Sequence, residues 1–175
     1  DMEQRPLAER CILGFGPVAG PPMFPTLYNN LKRIIQTEDS IMILAEMVHD
    51  ARIIRLNSAP RPRHIRTWLG DSIGHWEGDT LVVETKNFTQ RPALYGADEN
   101  LRVIERFKRV DEQTLSYSFE VTDPTVWTAS WGGEYPWPAT EEKVYEYACH
   151  EGNYALGNIM RGARLLEAEA ISQFE

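Results

Sequence analysis

The chain has 175 residues, 42% of them hydrophobic, and a formal net charge of −8 at pH 7. That length fits one folded domain with its own core. The acidic balance argues against nucleic acid or an anionic membrane surface as partner, since both select cations, and no apolar run nears the roughly 18 residues a membrane-spanning helix needs, so membrane insertion is not expected.

The chain begins at Asp1 without methionine, which fits a removed leader or a fragment. Residues 1–30 are rich in turn formers. The run GFGPVAGPPMFPTLYNN carries three glycines and four prolines, and proline removes backbone donors and fixes φ. Its Phe, Met, Leu and Tyr predict an ordered loop covering the body. From residue 31 the hydrophobic period becomes two. KRIIQT, SIMILAEMV and ARIIRL read as strands joined by short corners at Glu38-Asp39 and His49-Asp50. NSAPRPRHIRTWLG is an extended connection. DSIGHWE and TLVVETKNF follow, then the loop TQRPALYGADEN, the strands LRVIERFKRV and TLSYSFEVT, a strand within TVWTASWGGEYPWP, and a last one in KVYEYACH. Eight or nine strands in hairpin succession predict an all-β, lipocalin-like antiparallel barrel over residues 31–150, because closure removes exposed edges. The tail from 153 to 175 has helical spacing, with Leu156, Ile159, Met160, Ala163 and Leu166 on one stripe. Its glycines place the well-formed part after about Gly162.

The hairpin DSIGHWEGDTLVVET admits two registers. A two-residue loop at Glu77-Gly78 pairs Trp76 with Asp79 and turns Ser72, Gly74 and Trp76 inward. A three-residue loop pairs Trp76 with Thr80 and turns Asp71, Ile73 and His75 inward. A one-residue slip reverses every side chain, so loop length decides whether His75 faces the interior. In LRVIERFKRV one face is Leu101, Val103, Glu105 and Phe107, and in TLSYSFEV it is Leu115, Tyr117, Phe119 and Val121. Glu105 is thus a carboxylate on an apolar face. Such a group must be neutral, paired or wet, which makes it a site candidate. Glu46 in SIMILAEMV is a similar oddity.

His75, Asp71 and Glu105 form a candidate acid–base set, with Arg66 as a clamp for substrate charge. Trp68, Trp76, Trp127 and Tyr117 are candidate substrate-binding aromatics; Trp131, Tyr135 and Trp137 add to an aromatic count high for this length, since indole offers a flat apolar face to sugars or rings. Core packing is the competing role for all of them. The four histidines (His49, His64, His75, His150) never occur at metal-ligand spacing, and no GxSxG, HExxH, P-loop or GxGxxG is present. No metal or cofactor is therefore expected. Cys11 and Cys149, the two cysteines, either close a bridge in an oxidising compartment or remain buried thiols.

GHWEGDTLVVET, taken with CILGFGPVAGPP, IIQTED, RVIERFKRVD, VTDPTVWT and YEYACHEGNY, resembles a large bacterial family of exported proteins with a GHWEGDTLVV-type signature. The resemblance runs over nearly the whole chain. It implies a periplasmic or secreted setting, and hence the Cys11–Cys149 bridge, but no reaction. Gly74-His75-Trp76 also resembles the Gly-x-Trp of lipocalins, a likeness of three residues. The functional expectation is a cofactor-independent lyase, isomerase or hydrolase acting on a small or carbohydrate-like molecule in a barrel mouth. The alternative is a non-catalytic carrier of a hydrophobic or aromatic ligand. An envelope interaction module is a third. Oligomeric state is left open.

Overall fold

The computed structural model describes residues 1–92, 94 and 96–173. The strands β1 (Lys32–Gln36), β2 (Ser40–Ala45), β3 (Ala51–Leu56), β4 (Asp71–Glu77), β5 (Thr80–Lys86), β6 (Arg102–Arg109), β7 (Thr114–Thr122) and β8 (Trp131–Pro138) form one eight-stranded sheet in sequence order. The helix α1 spans Tyr154–Ser172. The sheet curls into a half-barrel. Its edge strands β1 and β8 come close enough for the Lys32 ammonium to sit 5.3 Å from the Trp137 ring centre, yet no ladder joins them among the described residues.

Neighbouring strands are antiparallel with one exception. β3 and β4 run parallel, with Ile54 opposite Ser72 and Leu56 opposite Gly74. The long connection 57–70 causes this: it carries the chain back to the end where β3 began, so the hairpin succession expected throughout is broken once and the sheet is mixed. Asp71 pins that connection, accepting two bonds from Arg55 Nη2 at 2.8 and 3.0 Å and one from the Arg61 amide at 2.8 Å.

The β4–β5 hairpin takes neither register expected. Glu77 pairs with Thr80 and Trp76 with Leu81, leaving Gly78-Asp79 as a two-residue loop. Gly78 stands at φ +62, as a turn with glycine first requires. The facing matches the shorter-loop alternative: Ser72 and Gly74 point inward and His75 outward. Gly74 has a steric reason to be glycine. A Cβ there would lie 2.9 Å from Ile54 Cγ2 and 3.2 Å from Leu81 Cδ1. Trp76 shares the inward parity but lies beyond the core at the sheet's end, 47% exposed, so the packing role expected for it is not met.

The core lies on the concave face. Ile41, Ile43, Ile54, Leu81, Val83, Val103, Phe107, Tyr117, Phe119 and Val121 pack with Met23 and Phe88; full burial of each such side chain is worth about 1.5–3 kcal/mol. Met23 comes from the proline-rich N-terminal segment, as that segment's apolar residues predicted, and its amide donates to Tyr117 Oη at 2.8 Å. The segment thus fills the open side of the half-barrel. A second small core of Val18, Ala19, Ala45, Met47 and Val48 packs against Tyr147 and Cys149. Cys11 and Cys149 are bonded across 138 residues of sequence, with Cα atoms 5.8 Å apart.

Two expectations for the C-terminal part fail. KVYEYACH is not a strand: it crosses as an irregular strap, tied where the Tyr145 amide donates to Glu46 Oε2 at 3.3 Å. The helix starts at Tyr154, well before Gly162, because the Asn153 side chain caps it by accepting from the Leu156 amide at 3.2 Å. None of its described residues is buried, so its apolar stripe does not dock on the sheet. No helix among the described residues is long and apolar enough to cross a membrane.

Candidate functional site

The half-barrel interior holds a buried polar cluster. The alternation of β3 turns Arg52 inward with Ile54 and Leu56, and that of β6 turns Glu105 inward between Val103 and Phe107. Arg52 Nη1 donates to Glu105 Oε1 at 3.0 Å and Nη2 to Glu105 Oε2. Arg52 Nε donates to Ser72 Oγ at 3.0 Å, and Ser72 Oγ and Thr85 Oγ1 share a bond of 2.9 Å. Tyr117 Oη donates to Glu105 Oε1 at 2.7 Å. Burial, then the nearby Glu105 carboxylate, push the Tyr117 phenol well above its usual range, so it stays a donor. Both ions of the pair are sealed from solvent. Glu105 is therefore paired, one of the three conditions under which its inward position is tolerable.

The acid–base set does not converge. His75 stands on the outer face with its side chain 52% exposed, its Nε2 3.1 Å from Glu77 Oε1. Asp71 shares the outer parity and is held by Arg55 and Arg61. Glu105 is on the opposite face. Arg66 braces a loop, donating from Nη1 to the carbonyls of Phe88 and Glu99 at 2.8 and 3.0 Å. It lines, with Trp68, a cavity of about 980 Å³ under the N-terminal segment. Trp127 packs edge-on against Trp131 with ring centres 5.5 Å apart.

The aromatic bank on β7 and β8 surrounds a different opening. Alternation in WGGEYPWP turns Trp131, Tyr135 and Trp137 toward the concave side. Trp137 stacks on Tyr117 at 4.7 Å and meets Phe107 edge-on at 5.9 Å. Between this bank and β1 runs a slot of about 580 Å³, lined by Lys32, Ile34, Leu115, Tyr135, Trp137 and Ala139 among others. Tyr135 Oη and Trp131 Nε1 are buried with no hydrogen-bond partner among the described residues. Burial first, and the Glu105 carboxylate second, raise the Tyr135 phenol above its ordinary range. Lys32 enters from the other wall, and burial draws its ammonium down from 10.5 to about 8. Pro136 and Pro138 share one parity of β8, and proline cannot donate. That parity faces the free edge, so the donors β1 would need in order to zip onto β8 are missing.

No protein-family model, curated protein or solved structure matches the chain.

A third place of interest is the corner between β2 and β3. Val48 and His49 both have positive φ, +58 and +45, a strained conformation for residues with a Cβ and most of all for a β-branched one. The corner is over-determined by its neighbours. Glu46 Oε1 accepts from Asn29 Nδ2, Met47 Sδ from the Phe15 amide at 3.1 Å, and Asp50 Oδ2 from the Gly14 amide at 3.0 Å. Glu46, odd in the sequence, is thus an anchor for the two crossing segments. Burial lifts the Asp50 carboxyl to about 6, against opposing pulls from the Gly14 amide and His49. Asp50 lines a cavity of about 540 Å³ with His49, Arg55, Arg61, Trp68 and Asp71.

Lys32 escaped the sequence reading, and Asp50 entered it only as part of the His49-Asp50 corner. One sits at a strand start and the other in a two-residue corner, where charged residues are ordinary. Only the fold makes them partly buried.

Proposed function

We propose that the protein is a non-catalytic binder of a small hydrophobic or aromatic molecule, held in the slot between β1 and β8. The observation that carries this reading is Tyr135 Oη, a buried polar atom without a hydrogen-bond partner among the described residues, on an aromatic wall that lines an open slot. Buried polar groups without partners are rare and costly, and a ligand or water oxygen would satisfy them. A volume of about 580 Å³ falls within the usual range for small-molecule sites. The half-barrel keeps a lipocalin-like plan in this reading, with the ligand at the unzipped seam. The buried carboxylate of Glu105 then serves the fold, and His75 has no part in function. The Cys11–Cys149 bond supports an oxidising setting, periplasmic or secreted; membership of the exported family with the GHWEGDTLVV-type signature remains part of the same proposal.

Titration with N-phenyl-1-naphthylamine tests the reading, following energy transfer from tryptophan. Native protein should bind, and Trp137→Ala should weaken binding at least tenfold with far-UV circular dichroism unchanged. No binding by the native protein to this probe or to other neutral aromatics would reject the slot as a carrier site.

The strained corner favours a second reading, an acid–base enzyme relocated from His75 to Asp50. Asp50 would exchange the proton, with Arg55 and Arg61 as anion contacts and Trp68 as a sugar-facing wall. Screening glycosides and uronates for turnover, with Asp50→Asn as the control, tests it. Equal turnover by native and variant protein would eliminate Asp50.

A further inference from the structure

The slot's chemistry narrows the class of ligand, given the binding reading above. We propose that the ligand is a flat apolar molecule bearing a carboxylate, and that the Lys32 ammonium is its counter-ion.

Lys32 is a half-buried cation on the wall of the slot. Its Nζ donates to the Asn30 carbonyl at 3.1 Å and faces the Trp137 ring, and it forms no ion pair with a described residue. Arg10 is also half-buried without an ion pair to a described residue, but it lies away from the slot, and three other inward or partly buried arginines are paired. Arg52 pairs with Glu105, Arg55 with Asp71 and Arg66 with Glu99. Carboxylates are plentiful in a chain of net charge −8, and Lys32 stands on the slot wall without an ion pair to one of the described residues. A partly desolvated ammonium without a counter-ion is disfavoured, and its lowered affinity for the proton is the measure of that. A carboxylate arriving with the ligand would restore the balance.

The rest of the slot fits the same molecule. Its charged lining is Lys32, Arg109 and Glu142. Arg109 is exposed to solvent, with Nη1 on the Glu112 carbonyl at 3.2 Å, which leaves Lys32 as the partly desolvated cation of the slot. Tyr135 Oη donates to no acceptor among the described residues, and the raised phenol keeps its proton at neutral pH, although the Trp137 side chain pulls the other way, so it can donate to a carboxylate oxygen. Trp137, Ile34 and Leu115 supply the flat apolar walls. A cation, a phenolic donor and an indole face together recognise an aryl carboxylate better than a neutral hydrocarbon or an amine.

The test compares 2-naphthoate with 2-naphthamide, which share shape and differ in charge. Native protein should bind naphthoate about tenfold or more tightly than the amide. Lys32→Met keeps the apolar stem and should abolish that preference, so that the variant binds naphthoate no more tightly than the amide. A second measurement needs no variant: naphthoate, and not the amide, should protect the Lys32 amine from reductive methylation, read by peptide mass. Equal binding of the two probes, or a preference that survives Lys32→Met, would overturn the inference while sparing the binding reading. Failure of both probes to bind native protein would overturn both.

Discussion

Replacing Glu105 by glutamine is the sharpest perturbation of the fold. The new side chain keeps the shape and can still accept from Tyr117 Oη, whose bond to the native carboxylate is 2.7 Å. What the change removes is the negative charge facing Arg52. Both side chains are sealed, 1% and 0% exposed, so water cannot take over, and the guanidinium is left with neutral acceptors alone: the amide oxygen, shared with Tyr117, and the Ser72 and Thr85 hydroxyls. Breaking one side of such a buried pair costs about 3–5 kcal/mol. A domain of this length has about 5–15 kcal/mol to lose and shifts by about 2–4 °C per kcal/mol, so the melting temperature should fall by about 6–20 °C. Adding Arg52→Met should recover part of the loss, because Ser72 and Thr85 already bond each other at 2.9 Å and the methionine fills the arginine's stem volume. Urea denaturation followed by tryptophan fluorescence and by circular dichroism would give the four corners of the cycle. A loss below about 1 kcal/mol for Glu105→Gln, or strictly additive effects, would refute the claim that this pair is the buried centre of the sheet.

Three further outcomes follow from the same contacts. His75→Ala should change stability by less than about 0.5 kcal/mol and leave probe binding untouched, since the ring is half in solvent on the outer face; a melting shift above a few degrees would show that His75 holds the fold together after all. Burial raises the Asp50 carboxyl to about 6 from an ordinary 3.8, so the folded state holds the proton more tightly than the unfolded one. Its contribution is therefore full below the unfolded value and is lost as pH rises toward 6; Asp50→Asn should flatten that part of the stability–pH curve, and an unchanged slope would contradict the burial. Reduction of the bond between Cys11 and Cys149 frees a loop of 138 residues and should cost about 5 kcal/mol by chain entropy, with the N-terminal segment cut first by protease; equal melting of oxidised and reduced protein would show that the segment docks without it.

The parts of the fold that read from sequence are those with a strict period. β6 and β7 alternate without interruption, so their pattern alone puts Glu105 and Tyr117 on the inner face, and both are there. β4 and β5 are ambiguous because their inner face carries Ser72, Gly74 and Thr85, residues too small or polar to mark a core. The packing of Gly74 against Ile54 and Leu81 is a three-strand contact, and no local pattern records it. KVYEYACH alternates like a strand, but it has no edge to pair with: β8 presents prolines, and the strap is instead pulled to the β2–β3 corner by the Tyr145–Glu46 bond. The aromatic wall is visible as composition. Its slot is not, since the slot depends on two strands far apart in sequence failing to join.

That failure has a physical cause. A curled sheet of eight strands ordinarily closes, because an unpaired edge leaves backbone donors and acceptors without ladder partners. Here β8 has given up two donors to Pro136 and Pro138, and β1 is short, so a closing ladder would gain few bonds. Shielding of the open side falls to segments outside the sheet. The N-terminal run inserts Met23 and packs Phe24 5.4 Å from Phe119, and the disulfide ties that run to the C-terminal strap. Apolar filling by a loop seals the centre but leaves the seam's end, where Lys32 faces Trp137, without a lid. The residues that block closure are thus interleaved with those that line the slot: Pro136 lies between Tyr135 and Trp137. Replacing both prolines with threonine restores the donors. It should lengthen the β1–β8 contact and protect the β8 amides from hydrogen exchange, and it should weaken binding of neutral aromatics by narrowing the slot. If exchange at β8 stayed fast in that variant, the open seam would owe nothing to the prolines.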